Sequence, residues 1–118
     1  MLYTALISVL SKIDKKMKCY YIMRDRGNDV VSPDWLDLDQ YRSGGLTWQG
    51  FRVNYMAKIM RPEADVWMKR VSLEAVKGDV VLVSDEEDVE HSYRVLLAEM
   101  MKNMFSGQMN LRYMGELK

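Results

Sequence analysis

The feature that most constrains the fold is an uninterrupted apolar run of three valines and one leucine at 80–83. β-Branched residues favour extended backbone, and a short run without polar positions favours a strand that is buried on both faces. Turn residues at 77–79 precede the run and Ser84 follows it. We therefore predict a strand over 80–83 at the centre of a sheet.

Two earlier segments show the alternation that is typical of half-buried strands. In the segment 47–59, the odd positions from Phe51 onward are apolar and the even positions are mostly polar. A turn at 61–64 separates this segment from a second one at 65–73. Because short turns join both segments to the strand at 80–83, we predict an antiparallel meander of three strands.

Two longer segments have the spacing of amphipathic helices. Apolar residues in 2–17 and in 89–104 recur at i, i+4, i+7, i+8, i+11 and i+15, which is one face of a 3.6-residue period. Ser84 and Glu87 form a capping-box pattern, which predicts that the second helix begins directly after the apolar strand. A Ser-Pro pair predicts a short helix over 33–42.

Strands over 19–24 and 109–113 complete the predicted order α-β-α-β-β-β-α-β. This order predicts an α+β fold: an antiparallel sheet of four to five strands, with the two amphipathic helices packed on one face and one short extra helix. The loops are short and the chain contains no internal repeat or linker, so we expect residues 1–118 to form a single compact domain.

Composition and the first residues bear on the location of the protein. The chain has a single cysteine, Cys19, which cannot form an internal disulfide, so we expect a buried thiol in a reducing compartment. The apolar stretch at 1–10 lacks the preceding positive charge and the cleavage site of a secretory signal. No apolar run approaches the ~20 residues that span a bilayer. We therefore expect a soluble, cytoplasmic protein with no membrane partner.

The residues needed for common catalytic sites are missing. One His and one Cys exclude zinc sites that use several such ligands, and the chain has no Gly-x-Ser-x-Gly, Walker A or Gly-x-Gly-x-x-Gly motif. His91 follows five acidic residues and is expected to be solvated. We therefore predict no enzyme activity and no catalytic, cofactor or metal site. A carboxylate–metal enzyme centred on Asp34 and Asp37 stays open as a third hypothesis.

Nucleic-acid binding is the second hypothesis. Arg24, Arg26 and Arg52 lie close in sequence to aromatic residues, and cations beside aromatics on a sheet can bind single strands by stacking. However, most of these aromatics fall on the predicted core face. The totals of 17 basic and 17 acidic residues also disfavour a nucleic-acid partner, although they do not exclude one.

The first hypothesis is a non-enzymatic protein-interaction or assembly module. The strand faces opposite the predicted core combine methionine, tryptophan and arginine, which suit interface cores. A register shift of one residue would exchange the two faces, and the short helix or the N-terminal segment could cover part of this one. The predicted partner-binding residues are Trp48, Arg52, Met56, Met68, Arg70, Arg112 and Met114.

The charge distribution and the element order bear on the partner. Residues 1–28 carry a net charge of +4 and residues 85–99 carry −5, so a molecule whose charged helix ends point apart would suit head-to-tail association with its own copies as a homo-oligomer. The element order resembles that of small α+β subunits that form rings in virus-like tails. The resemblance implies a small viral assembly or host-interaction protein. The partner could equally be another protein, and the contact could equally be an exposed strand edge.

Overall fold

The computed structural model describes residues 1–23 and 28–118. Within these ranges the chain forms four strands, four α-helices and two short 3-10 helices. In chain order they are β1 (Leu2–Leu6), a 3-10 helix (Ile7–Lys12), β2 (Lys18–Tyr21), α1 (Trp35–Ser43), α2 (Trp48–Ile59), α3 (Pro62–Lys77), β3 (Val80–Ser84), a 3-10 helix (Val89–His91), α4 (Tyr93–Met109) and β4 (Tyr113–Leu117).

The four strands form one sheet in the order β2-β3-β1-β4, and every pair is parallel. The predicted antiparallel sheet is therefore wrong. Parallel neighbours need a crossover rather than a tight turn. The segment 7–17 links β1 to β2, helices α1 to α3 link β2 to β3, and α4 links β3 to β4.

Strand β3 lies between β1 and β2, and all five of its residues are buried. Val80 and Leu82 belong to the main core with the helices. Val81 and Val83 belong to a second cluster, which contains the apolar residues of the connection 7–17. The apolar run thus forms a central strand, as predicted, because both faces of the sheet are covered.

Helices α2 and α3 occupy the segments predicted as strands. In α2 the buried residues Phe51, Tyr55 and Ile59 lie four positions apart. Residues four positions apart share one face of a helix. They also share one face of a strand, because strand side chains alternate between the two faces. Val53, which completed the strand pattern, is 67% exposed. Trp67 and Val71 produced the same ambiguity in α3, where both are buried.

The first segment is a strand and a 3-10 helix instead of the predicted helix over 2–17. Strand β1 is covered on both sides, with Leu2 in the main core and Ala5 in the second cluster. The apolar residues of β1 therefore do not alternate with polar ones. Together with Leu10, Ile13 and other residues of the following connection, they have the spacing of an amphipathic helix.

Helix α4 begins eight residues later than predicted. Ser84 ends β3 and caps no helix, whereas Ser92 precedes the first helical residue. The predicted face is present from Tyr93 to Met104, and Tyr93 is 1% exposed. The last strand also lies later in the chain, because Asn110 adopts a left-handed conformation (φ 55°) at the end of α4 and starts the turn into β4.

Strand β4 contains a bulge. Leu2 pairs with Tyr113, but Thr4 pairs with Glu116, so β4 carries one extra residue between these two pairs. Gly115 has a φ of 101°, which is in the region that favours glycine. The bulge sets the position at which Glu116 lies on the sheet edge.

Candidate functional site

The single sheet face predicted for the partner-binding residues does not form, because most of these residues lie on helices. Met68 is fully buried in the core and is no surface residue. Trp48, Arg52 and Met56 follow one another at four-residue steps, so they share a side of α2. Of the set, Trp48, Arg52 and Met56 are on α2, Met68 and Arg70 on α3, Arg112 just before β4, and Met114 on β4.

An apolar groove lies between α4 and the corner where α2 meets α3. We call it the methionine groove. Its volume is about 480 Å³. Met60 is 72% exposed, and Met100 and Met104 are half-buried and line the groove. The lining residues are Ile59, Met60, Pro62, Asp65, Met100 and Met104.

The methionine groove extends the side of α2 that was predicted to bind a partner. Met60 directly follows α2 and lies four residues after Met56, so it continues the side of α2 that carries Arg52 and Met56. The sequence pattern placed Met60 on the face opposite the predicted core, but it assigned Met100 and Met104 to the core side of the last helix and so missed them as surface residues. The signal was the four-residue step between methionines, which recurs in both segments and is meaningful once α2 is recognised as a helix.

Helix α3 has an exposed side opposite its core side, which we call the α3 stripe. Val66 and Leu73 are 67% and 44% exposed, whereas Trp67, Met68 and Val71 of the same helix are buried. Arg70 and Lys77 lie between and after them on the same line of the helix, and both are exposed. The stripe thus alternates apolar and cationic side chains.

The carboxyl edge of the sheet is the second place where functional groups meet. The connections that leave β1 and β3 go to opposite faces of the sheet, and ligands of open parallel sheets commonly bind at such a switch point. In this protein, the side chain of Arg94 occupies this switch point. It is fully buried and donates to Ser84 Oγ (3.0 Å), the Glu86 carbonyl (2.8 Å) and the Glu116 carboxylate. We infer that this arginine stabilises the fold and is not available to a ligand.

Glu86 is also part of this buried cluster. Its carboxylate accepts a hydrogen bond from the Tyr93 N–H at 2.6 Å, and Arg94 Nη1 lies 3.7 Å from its other oxygen. Burial raises the pKa of Glu86 above its ordinary value, because hydrogen bonds and the Arg94 charge offset only part of the desolvation. Because of this raised pKa, the stability of the fold should depend on the pH.

Beside this cluster is a polar cleft of about 140 Å³, which we call the α1 cleft. One side of α1 forms a wall, and the rest is formed by residues that follow β2 and β3 and by Tyr93 of α4. Arg42 and Asp85 make an ion pair across it at 3.1 Å. The lining residues are Met23, Trp35, Leu38, Asp39, Arg42, Asp85 and Tyr93.

The carboxylates considered for a metal site have other contacts. Asp34 pairs with Lys58 at 3.1 Å, and Asp37 accepts a hydrogen bond from Asn54 at 3.4 Å. Within residues 1–23 and 28–118, no group of three His, Cys, Asp or Glu residues is placed to hold a metal ion. His91 is 46% exposed and lies 3.2 Å from Asp88, in agreement with the solvated histidine expected.

The aromatics considered for nucleic-acid stacking mostly lie inside the protein. Phe51 and Tyr55 are 1% and 2% exposed, and Trp67 donates from its ring N–H to Asn28. Buried rings offer no stacking surface to a base. Arg24 and Arg26, which were part of the same hypothesis, lie outside the described residues.

The fold and these sites define a class: a small protein with a four-stranded parallel sheet that is covered by helices on one face and by a 3-10 segment on the other. None of the helices in the described part of the chain is long and apolar enough to cross a membrane. The model of the family described as "Domain of unknown function DUF488" matches residues 9–101, so the chain belongs to this family. Comparisons with curated proteins and with solved structures give no match.

Proposed function

We propose that this protein is a non-enzymatic interaction module that associates with a second copy of itself. The contact joins the methionine groove of one copy to the α3 stripe of the other. One observation carries the proposal: an apolar groove and an exposed apolar stripe lie side by side on the same helix, with Asp65 in the groove and Val66 on the stripe.

The two surfaces carry opposite charges, and the methionines of the groove can adapt to a partner. Methionine side chains are flexible and adapt to the side chains of a docked helix, which suits a groove that accepts one. The groove carries one carboxylate, Asp65, and the stripe carries the cations Arg70 and Lys77. A docked stripe would place an apolar side chain on the methionines and a cation within reach of the carboxylate.

Symmetry supports self-association. In a twofold dimer, the same patch serves both copies, so a patch must contain both halves of the contact. The groove and the stripe meet this requirement because α3 contributes to both. Two copies with antiparallel α3 helices would therefore form the groove-to-stripe contact twice.

Sedimentation velocity from about 1 to 100 μM tests this proposal. We expect the wild-type chain to dimerise, and we expect Met60→Glu in the groove and Leu73→Glu in the stripe each to weaken dimerisation by about tenfold or more. Val53→Glu is the matched control, because Val53 is 67% exposed on α2 but lines neither surface. This variant should dimerise like the wild type.

A charge exchange tests the occupant of the groove. Asp65→Arg and Arg70→Glu should each weaken the dimer, and the double variant should regain part of the loss because the two charges would again be opposite. A wild-type chain that stays monomeric over the whole range would overturn the proposal and leave the groove to a different protein. Equal weakening by Val53→Glu would overturn it as well.

A further inference from the structure

Half of the residues that line the methionine groove carry a thioether. Met100 and Met104 lie four residues apart on one side of α4, and Met60 reaches the groove from the end of α2. In the proposed dimer, this thioether surface receives the α3 stripe of the second copy. A thioether is apolar and its sulfoxide is polar, so oxidation of these side chains changes the chemistry of the contact.

Exposure singles out one of these methionines. Met60 is 72% exposed, the largest exposed fraction among the eleven methionines of the chain. Met100 and Met104 are half-buried. Met114 is the next most exposed at 52%, but it lies on β4 and lines no part of the groove. Because an oxidant must reach the sulfur, Met60 is the first of the groove thioethers to react.

We propose that Met60 is a modification site at which a hydroperoxide switches off the dimer, an inference that rests on the proposed function. With hydrogen peroxide, the Met60 sulfur attacks one peroxide oxygen, so that an S–O bond forms while the O–O bond breaks. The sulfur is oxidised by two electrons and the peroxide is reduced. The second oxygen leaves as hydroxide and takes the proton of the first, which gives water and the sulfoxide.

The sulfoxide opposes the groove-to-stripe contact because its oxygen needs a hydrogen-bond donor. The stripe presents the apolar side chains of Val66 and Leu73 to the methionines. Asp65, the acidic residue of the groove, carries acceptor oxygens when ionised and cannot donate to a sulfoxide. A sulfoxide covered by the second copy would therefore lose its hydration without replacement, whereas in the monomer water supplies the donor.

The dimer should in turn protect Met60. Peptide mass spectrometry during treatment with hydrogen peroxide follows the oxidation of each methionine in the full chain. At about 1 μM chain, we expect Met60 to react before Met114. At about 100 μM, where the dimer predominates, the reaction of Met60 should slow while that of Met114 stays unchanged. Equal rates for Met60 at both concentrations in a chain that dimerises would overturn the inference.

Sedimentation velocity on the oxidised chain measures the effect on assembly. Oxidation of Met60 should weaken dimerisation by about tenfold or more. Dithiothreitol alone should not reverse this loss, whereas dithiothreitol with methionine sulfoxide reductases should, because the sulfoxide oxygen then leaves as water while the dithiol becomes a disulfide. Recovery with dithiothreitol alone would assign the effect to Cys19 and overturn the inference.

Two matched variants locate the switch. Met60→Leu keeps an apolar side chain of similar size, so it should dimerise and should still dimerise after the same peroxide treatment. Met114→Leu removes an exposed methionine outside the groove, and it should lose dimerisation on oxidation as the wild type does. Equal loss in Met60→Leu would overturn the inference.

The outcomes separate this inference from the proposed function. An untreated wild-type chain that is monomeric overturns both. An untreated chain that dimerises, and that still dimerises once Met60 is oxidised, overturns the inference alone and leaves the dimer in place.

Discussion

Arg94 of α4 and Glu116 of β4 form a buried bidentate ion pair. Arg94 Nε lies 3.0 Å from Glu116 Oε1, and Nη2 lies 2.6 Å from Oε2. The Arg94 side chain is fully buried and that of Glu116 is 9% exposed. Since Nη1 also contacts Ser84 and the Glu86 carbonyl, one guanidinium group connects β4, the end of β3 and the loop after it.

Removal of one partner of this pair should strongly destabilise the fold. We expect Glu116→Gln to lower the free energy of unfolding by about 3–5 kcal/mol, because it leaves a buried cation without a counter-charge. Urea unfolding at neutral pH measures this change. The exposed Glu99→Gln is the control and should stay within about 0.5 kcal/mol of the wild type. A loss below about 1 kcal/mol in Glu116→Gln would show that the pair does not hold β4 in place.

The bulge that positions Glu116 depends on Gly115. Its φ of 101° is strained for residues with a Cβ, so Gly115→Ala should cost about 1–2 kcal/mol of stability. Gly107 lies in α4, and a Cβ there would meet no atom within 4 Å. Gly107→Ala should therefore stabilise the protein by about 0.5–1 kcal/mol. Thermal unfolding compares the two, and equal effects of the same sign would contradict the assignment of the bulge.

The pH dependence of stability should report Glu86. Burial raises its pKa above the ordinary value of 4.5, so the folded state holds this proton more tightly than the unfolded state. The resulting stabilisation is fully present below pH 4.5 and is lost as the pH rises through the folded-state pKa. Wild type should therefore lose stability relative to Glu86→Gln as the pH rises from about 4 to 7.

Urea unfolding at several pH values measures this difference. Glu87→Gln is the control, because Glu87 is an exposed neighbour, and it should follow the wild-type curve. A constant difference between wild type and Glu86→Gln across this range would show that Glu86 has the same pKa in both states.

Two buried tyrosines should respond differently to loss of the hydroxyl. Tyr55 donates to the Val31 carbonyl at 2.7 Å, so Tyr55→Phe leaves a carbonyl oxygen without this donor and should cost about 1–3 kcal/mol. The Tyr93 hydroxyl has no such partner among the described residues, so Tyr93→Phe should change stability by less than about 0.5 kcal/mol. Chemical unfolding of both variants gives the comparison. A similar loss in Tyr93→Phe would reveal a hydrogen bond from its hydroxyl.

Local sequence determined three parts of this protein. The run at 80–83 forms a central strand, because β-branched residues without polar neighbours favour buried extended backbone. Helix α1 forms close to the bounds predicted from the Ser-Pro pair, although Asp34 and not Ser32 is its N-cap, and the apolar period between Tyr93 and Met104 produces α4. Each of these features depends on interactions within one or two turns of chain, which a sequence pattern records directly.

Tertiary structure decided the rest. The four-residue spacing of Phe51, Tyr55 and Ile59 fits a helix and a strand, and only packing against the covered sheet selects the helix. The parallel pairing of the strands depends on crossover connections. These bring together residues from distant segments, such as Ser84, Arg94 and Glu116. The methionine groove and the α1 cleft likewise combine residues from separate elements. No local period encodes such contacts, because they depend on the free energy of burying both sheet faces at once.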